Sequence, residues 1–190
     1  MTSAAARGRA VRERLLAAAV ELIPERGWTA VSTRVLADRA GVTPSVVHYH
    51  FPTLQALLRE AVIGMMRQVM TDVDTLLDTA RTPVRAVEAL LASVDQYTGA
   101  DPVSLLFVEA YLAAGRDEEL RGLINGVIDG FRKRFGQWLH DRGVLAAEET
   151  AAVVLACVDG LLLHRGLGSS PDIQSVIAAV CRLVTSGGRS

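Results

Sequence analysis

Apolar side chains recur at helical spacing along almost the whole of this chain, and no stretch alternates with period two for long enough to make a strand. Start signals reinforce the pattern. Thr43-Pro44, Thr82-Pro83, Asp101-Pro102 and Ser170-Pro171 each put a capping side chain before a proline. At the first helical position proline's missing N–H costs nothing, and its φ is already helical. The periodicity predicts helices over about 7–25, 33–39, 44–49, 54–79, 83–98, 102–114, 118–142, 147–167 and 171–185. The chain is therefore expected to be all-α, with about nine helices.

The Phe51-Pro52-Thr53 break divides the pattern. One longer helix and two short ones precede it, and six helices follow. Residues 1–52 are expected to form one domain and residues 53–190 a second, larger helical bundle. A chain of 190 residues, half of them apolar, buries a core without covalent staples. Cys157 and Cys181 lie in apolar runs with no partner at metal-ligand spacing, so they read as buried thiols of a reducing compartment, and no metal or cofactor is expected. The N-terminus lacks the apolar segment of a secretory signal. The most apolar stretch, 151–163, is shorter than a membrane span and carries Asp159 at its middle. A soluble, cytoplasmic protein with no membrane partner is expected.

Charge is unevenly distributed. Residues 1–59 hold eight arginines against four carboxylates, net +4, whereas the remainder holds twelve basic and seventeen acidic residues, net −5. A basic head on an acidic body suits a head that meets a polyanion.

The segment Ser32 to His50, STRVLADRAGVTPSVVHYH, explains which polyanion. Ser32 is placed to cap one short helix and Thr43 the next. Ala37 is small where two helices must cross closely. Gly41 stands where a tight turn needs positive φ. Val35, Leu36, Ala40, Val42 and Val47 supply a small core. This is the helix-turn-helix pattern, whose second helix enters the DNA major groove.

With Leu15-Leu16 and Ala18-Ala19 ahead of it, Gly27-Trp28 and Ser32-Thr33 leading in, Tyr49-His50-Phe51 closing it and Leu57-Leu58 beyond, the segment from Arg12 to Leu58 resembles the DNA-binding domain of the TetR family of regulators. The resemblance covers about the first third of the chain; the helical remainder is similar to the family's ligand-binding and dimerisation domain in layout. It implies that Thr43, Pro44, Ser45 and Val46 approach base edges, that His48, Tyr49 and His50 face phosphates or the groove, and that Thr33 and Arg34 contact phosphate. Arg7, Arg9 and Arg12 are expected to form an N-terminal arm that neutralises backbone charge. Two positions depart from the family pattern: His48 stands where tyrosine is usual, and Leu54 where a phosphate-binding lysine is usual.

The resemblance further implies a homodimer on a double-stranded palindromic operator, released by a small-molecule effector. Effector candidates on the middle helices are Met65, Met66, Tyr97, Phe107, Glu109, Tyr111, Asn125 and Trp138. The all-round apolar penultimate helix and the wide stripe of the last helix suggest a dimer built on Val154, Val158, Leu162, Ile177, Val180 and Val184. Other readings are an activator or ligand-independent regulator of the same fold, or a helical adaptor that binds no DNA. An enzyme built on Cys157, Asp159 and His164 is disfavoured, because spacings of two and five put Asp159 well round the helix from both neighbours. No catalytic residue is assigned.

Overall fold

The computed structural model describes residues 4–169 and 171–185. Among them are nine α-helices and no strand. They are α1 (Ala4–Arg26), α2 (Thr33–Ala40), α3 (Pro44–His50), α4 (Leu54–Thr79), α5 (Pro83–Ser93), α6 (Pro102–Ala114), α7 (Glu118–His140), α8 (Ala147–Gly166) and α9 (Ile173–Thr185). Single 3-10 turns follow α1, at Trp28–Ala30, and α5, at Val94–Gln96.

Several helix starts are made by the expected caps. Oxygens of Ser32, Thr53 and Thr82 accept the amides of Val35, Ala56 and Arg85 at 3.3, 3.0 and 3.3 Å. The Asp101 carboxylate takes the amides of Val103 and Ser104 as well as those of Thr98 and Gly99. Burial works against that charge, but these bonds and the Ser104 hydroxyl outweigh it and hold the carboxyl below its usual range.

Four expectations need correction. Thr43 does not cap α3: its hydroxyl lies 2.8 Å from that of Ser45 instead. The first helix begins at Ala4 rather than near Arg7, so Arg7, Arg9 and Arg12 all stand on α1. Helix α5 ends at Ser93 rather than near 98. Beyond it Gly99, at φ +77°, packs so tightly on α8 that a Cβ there would come within 2.4 Å of the Leu162 carbonyl oxygen. Arg165 pins the same loop by donating to the carbonyls of Val94 and Tyr97 at 2.7 and 3.0 Å, and pairs with Asp95. Helix α9 begins at Ile173, where Asp172 accepts the Ser175 amide at 2.9 Å; Ser170 lies outside the described residues.

The chain forms two compact units, Met1–Met66 with Leu105–Leu123, and Arg67–Ser104 with Ile124–Ser190. The division between the units falls within α4, α6 and α7. In the first unit α1 packs on α2 and α2 on α3. Its buried side chains include Leu15, Leu22, Ile23, Leu36, Val47, Leu57 and Leu58. Each fully buried Leu or Ile contributes about 2 kcal/mol of hydrophobic free energy. In the second unit α5, α8 and α9 pack together around Val87, Leu91, Phe135, Val154, Ile177 and Val180.

Val154, Ile177 and Val180, expected at a dimer interface, are therefore spent on the protomer's own core. Val158, Leu162 and Val184 are partly buried against the same cluster. Periodicity identified the apolar stripes correctly but could not tell which side of each stripe the protomer itself covers.

Candidate nucleic-acid interface

A seven-residue helix is not stable alone, so α3 must be held from outside. Gly41 at φ +65° turns the chain after α2, and the Val42 amide returns to the Ala37 carbonyl at 3.0 Å. Val47 inserts into the core, and Phe51 is buried just past the helix end. The two turns of α3 then sort its side chains by angle. Pro44, Ser45, His48 and Tyr49 share one arc and are exposed, while Val46, Val47 and His50 occupy the opposite arc and are wholly or partly covered. Tyr49 is 85% exposed, an unusual position for a large aromatic, and meets the His50 ring edge-on at 5.1 Å between centroids.

Of the residues expected to touch DNA, Thr43, Pro44, Ser45, His48 and Tyr49 thus form one continuous exposed face. Val46 and His50 lie on its flank. Arg34 is exposed and Thr33 half-buried at the start of α2. Leu54 is half-buried in the first turn of α4 and offers no charge.

The cations of this unit are not all available. Arg12 is gripped by Glu60, with Nη2 2.6 Å from Oε2, and lies over the Phe51 ring. Arg39 is held by Glu25 and Glu21, at 2.6 and 2.9 Å. Arg59 donates to Asp117 at 2.8 Å and pairs with Glu119. These three arginines tie the unit together. A cation that the sequence did not single out stands beside the motif instead: an Arg14 guanidinium nitrogen lies 3.9 Å from where a Cβ on Gly41 would sit. Pairings between residues so far apart in the chain leave no spacing signal, so none of them was legible beforehand.

The sites expected to bind an effector fall differently. Met65, Met66, Phe107, Glu109 and Tyr111 belong to the first unit, and Tyr97, Asn125 and Trp138 to the second. Met66 is buried, whereas Asn125 and Tyr111 are exposed. Glu109 accepts the Trp28 amide at 2.8 Å. Trp138 packs near Phe135 and beneath the Arg142 guanidinium, 3.7 Å from its ring centre. Tyr97 is half-buried; burial, with Asp101 and Asp72 nearby, raises its phenol above the usual value.

Residues 15–61 match the family model for the tetR family of bacterial regulatory proteins, and residues 81–186 that for the tetracyclin repressor-like C-terminal domain. The second match alone spans more than half of the chain. The chain belongs to the TetR family of transcriptional regulators.

Among relatives, the HTH-type transcriptional regulator BetI of Rhizobium meliloti is 28% identical over 174 residues, 88% of this chain and 84% of that protein. A solved regulator from Streptomyces coelicolor A3(2) is 30% identical, with a TM-score of 0.78 over 92% of this chain and 98% of that one. A regulator from Saccharomonospora viridis, solved in complex with choline, shares the fold at 21% identity, with a TM-score of 0.72 over 92% of this chain and 95% of that one.

Family and relatives are transcriptional regulators rather than enzymes. The local chemistry of α8 agrees, since burial raises the Cys157 thiol and so disfavours the thiolate that a nucleophile requires. Among the described residues no helix is long and apolar enough to cross a membrane.

Proposed function

We propose that this TetR-family regulator is a ligand-released repressor that binds a palindromic operator as a homodimer. Residues 1–52 serve as its DNA-binding domain and residues 53–190 as its effector and dimerisation domain. The observation that carries the DNA-reading role is the exposed arc of α3. Tyr49 and the hydroxyls of Thr43 and Ser45 project from a helix that Val47 and Phe51 fix to the core. Thr43 and Ser45 hydrogen-bond base edges, Pro44 meets a thymine methyl, and Tyr49 reaches the backbone. Arg34 and the N-terminal amides of α2 hold a neighbouring phosphate.

Pairing of two copies is supported by α8. Val153, Ala156, Gly160, Leu163 and Leu167 recur at alternating spacings of three and four. Val153 and Leu163 are 45% and 51% exposed, and a Cβ on Gly160 would meet nothing within 4 Å. On α9, Val176, Ala179 and Leu183 repeat the spacing, with Leu183 exposed. Such a stripe, small at its centre, suits close approach of the same stripe from a second copy. Two heads spaced about 34 Å apart then reach successive major grooves. The effector is a small molecule, by analogy with the choline-bound relative of the same fold. It acts by favouring a dimer whose heads do not match that spacing.

Selection of bound sequences from a random DNA pool, followed by sedimentation of the complex, tests this reading. A palindromic consensus bound by two copies is expected, with affinity falling steeply as salt rises. Recovery of no consensus, or binding by a single copy, overturns it.

A further inference from the structure

The corner at Gly27-Trp28, where α1 gives way to the DNA-reading helices, is a junction of three helices. The Trp28 amide donates to the Glu109 carboxylate of α6 at 2.8 Å, and the Trp28 indole N–H donates to Gln55 Oε1 of α4 at 3.1 Å. Gly27 is at φ +84°, and the Glu109 carboxylate oxygens lie 3.5 and 3.7 Å from where its Cβ would sit, so the carboxylate is seated directly on the turn. The stretch 105–123 meets the same unit at a second polar point. Arg59 of α4 donates to Asp117 at 2.8 Å, and Asp117 also accepts the Leu120 amide at 3.0 Å to start α7.

The rest of this stretch is buried through Leu106, Ala110, Ala114 and Leu120. Apolar contacts of that kind have no fixed direction, and a small slide costs them little. A hydrogen bond weakens steeply with angle and length. The polar contacts therefore decide the setting of α6 against the DNA-reading helices, and Glu109 makes the one that touches the turn itself.

We propose that Glu109 is a positioning residue for DNA binding. By accepting the Trp28 amide it fixes the angle at which α1, α2 and α3 stand on α6, and movement of α6 acts on DNA through this bond. This assigns Glu109 to the coupling of effector and operator, rather than to direct effector contact. It rests on the reading of the protein as a dimeric, ligand-released repressor.

The test uses the full chain carrying Glu109→Ala or Glu109→Gln, with Glu118→Ala, a surface carboxylate paired with Arg121, as control. Amide exchange is followed across 28–30, and affinity is measured for the DNA selected from the random pool. The separation of the two heads is read from spin labels at Asp38→Cys in a background lacking Cys157 and Cys181. Glu109→Ala is expected to accelerate exchange at Trp28 by about tenfold, broaden the label distances and weaken DNA binding by about tenfold, the scale of one lost hydrogen bond to a charged group. Glu109→Gln keeps an acceptor oxygen and should stay within about threefold of the parent. The control should change none of the three.

Unchanged exchange, distances and affinity in Glu109→Ala overturn the proposal. So does a glutamine variant as impaired as the alanine one, because a generally loosened structure would not be rescued by a retained acceptor. Failure of the parent chain to pair or to bind DNA refutes the repressor reading and, with it, the role assigned to Glu109 in DNA binding. The exchange rate at Trp28 then still decides whether the bond holds the turn.

Discussion

Arg12 and Glu60, on α1 and α4, form a two-pronged ion pair across the end of the recognition helix. Both guanidinium Nη atoms donate to the carboxylate, and the cation rests over the Phe51 ring, 4.7 Å from its centre. The pairing with Glu60 outweighs partial burial and raises the Arg12 pKa. A residue that the sequence suggests as a phosphate-binding cation is thus occupied in closing the unit that presents α3.

The consequence is measurable as a difference between two arginines. Arg34→Ala should flatten the dependence of log affinity on log salt by about one unit, as expected for a lost phosphate contact. Arg12→Ala should leave that slope nearly unchanged and appear as a loss of stability instead. Both partners are about two-fifths exposed, so the coupling in an Arg12–Glu60 double-mutant cycle should stay below about 1 kcal/mol. A slope that changes with Arg12 as much as with Arg34 would return Arg12 to the DNA surface.

Tyr49 separates folding from function on the recognition helix itself. It is 85% exposed and meets the edge of the His50 ring, so Tyr49→Ala should cost less than about 0.5 kcal/mol of stability. Affinity for the selected operator should fall at least about tenfold if the phenol makes one good contact. Val47→Ala, on the opposite arc and buried, should show the reverse emphasis, losing roughly 1–2 kcal/mol of stability. Chemical denaturation and DNA titration on the same two variants check both statements.

The helix-turn-helix was legible because its determinants are local. Ser32 caps within three residues, Gly41 turns the chain where positive φ was expected, and Leu36, Ala37 and Val47 meet over a short stretch. The Thr43 cap failed for an equally local reason: a hydroxyl two residues on, Ser45, competes for the side chain. What could not be read is what distant residues do to each other. Arg12, Arg39 and Arg59 look alike in a charge count, yet each is neutralised by a carboxylate from another helix. Glu109 looked like a polar group for a ligand and is bound instead to a backbone amide 81 residues away. On α9, a stripe as wide as Ile177, Val180 and Val184 is compatible with either a core or an interface until the positions of α5 and α8 are known.

Asp159 gives a pH signature. Burial on the apolar helix α8 pushes its carboxyl from the ordinary 3.8 up to about 6. The folded state therefore binds the proton more tightly than the unfolded chain does. Between about pH 4 and 6 the folded form holds more protons, so stability contributed at this site falls as pH rises through that window and is level above it. Asp159→Asn should remove this slope and stabilise the protein at pH 7 by on the order of 2 kcal/mol, less whatever solvent reaches the partly exposed side chain. Urea midpoints at pH 4 and pH 7 for both proteins decide it; an Asp159→Asn variant with the parent's pH slope would place the titration elsewhere.

Two glycines with the same φ of +77° should respond very differently to alanine. At Gly143 a Cβ meets nothing within 4 Å, so Gly143→Ala carries only the backbone penalty of about 1–2 kcal/mol. At Gly99 the same Cβ would lie 2.2 Å from the Gly166 nitrogen, which is helix backbone and cannot yield. Gly99→Ala should therefore add a steric cost of roughly 1–3 kcal/mol and release the loop that Arg165 pins. Thermal melts that rank the two variants equally would show that the loop seats less closely on α8 than this geometry requires.

The proposed dimer face gives the sharpest separation of protomer from assembly. Gly160 lies on the stripe with Val153, Ala156 and Leu163, and the space beside its Cα is empty in the protomer. Replacing it with leucine inside a helix should stabilise an isolated protomer by up to about 1 kcal/mol, since glycine is a poor helix residue. The same leucine should hold apart two α8 helices that meet at their small residues, so Gly160→Leu is expected to sediment as a more stable monomer. Val180→Asp, at a core position, should instead unfold the protomer by burying an unpaired charge. A Gly160→Leu protein that still pairs at micromolar concentration would move the interface off this stripe, whatever its effect on stability.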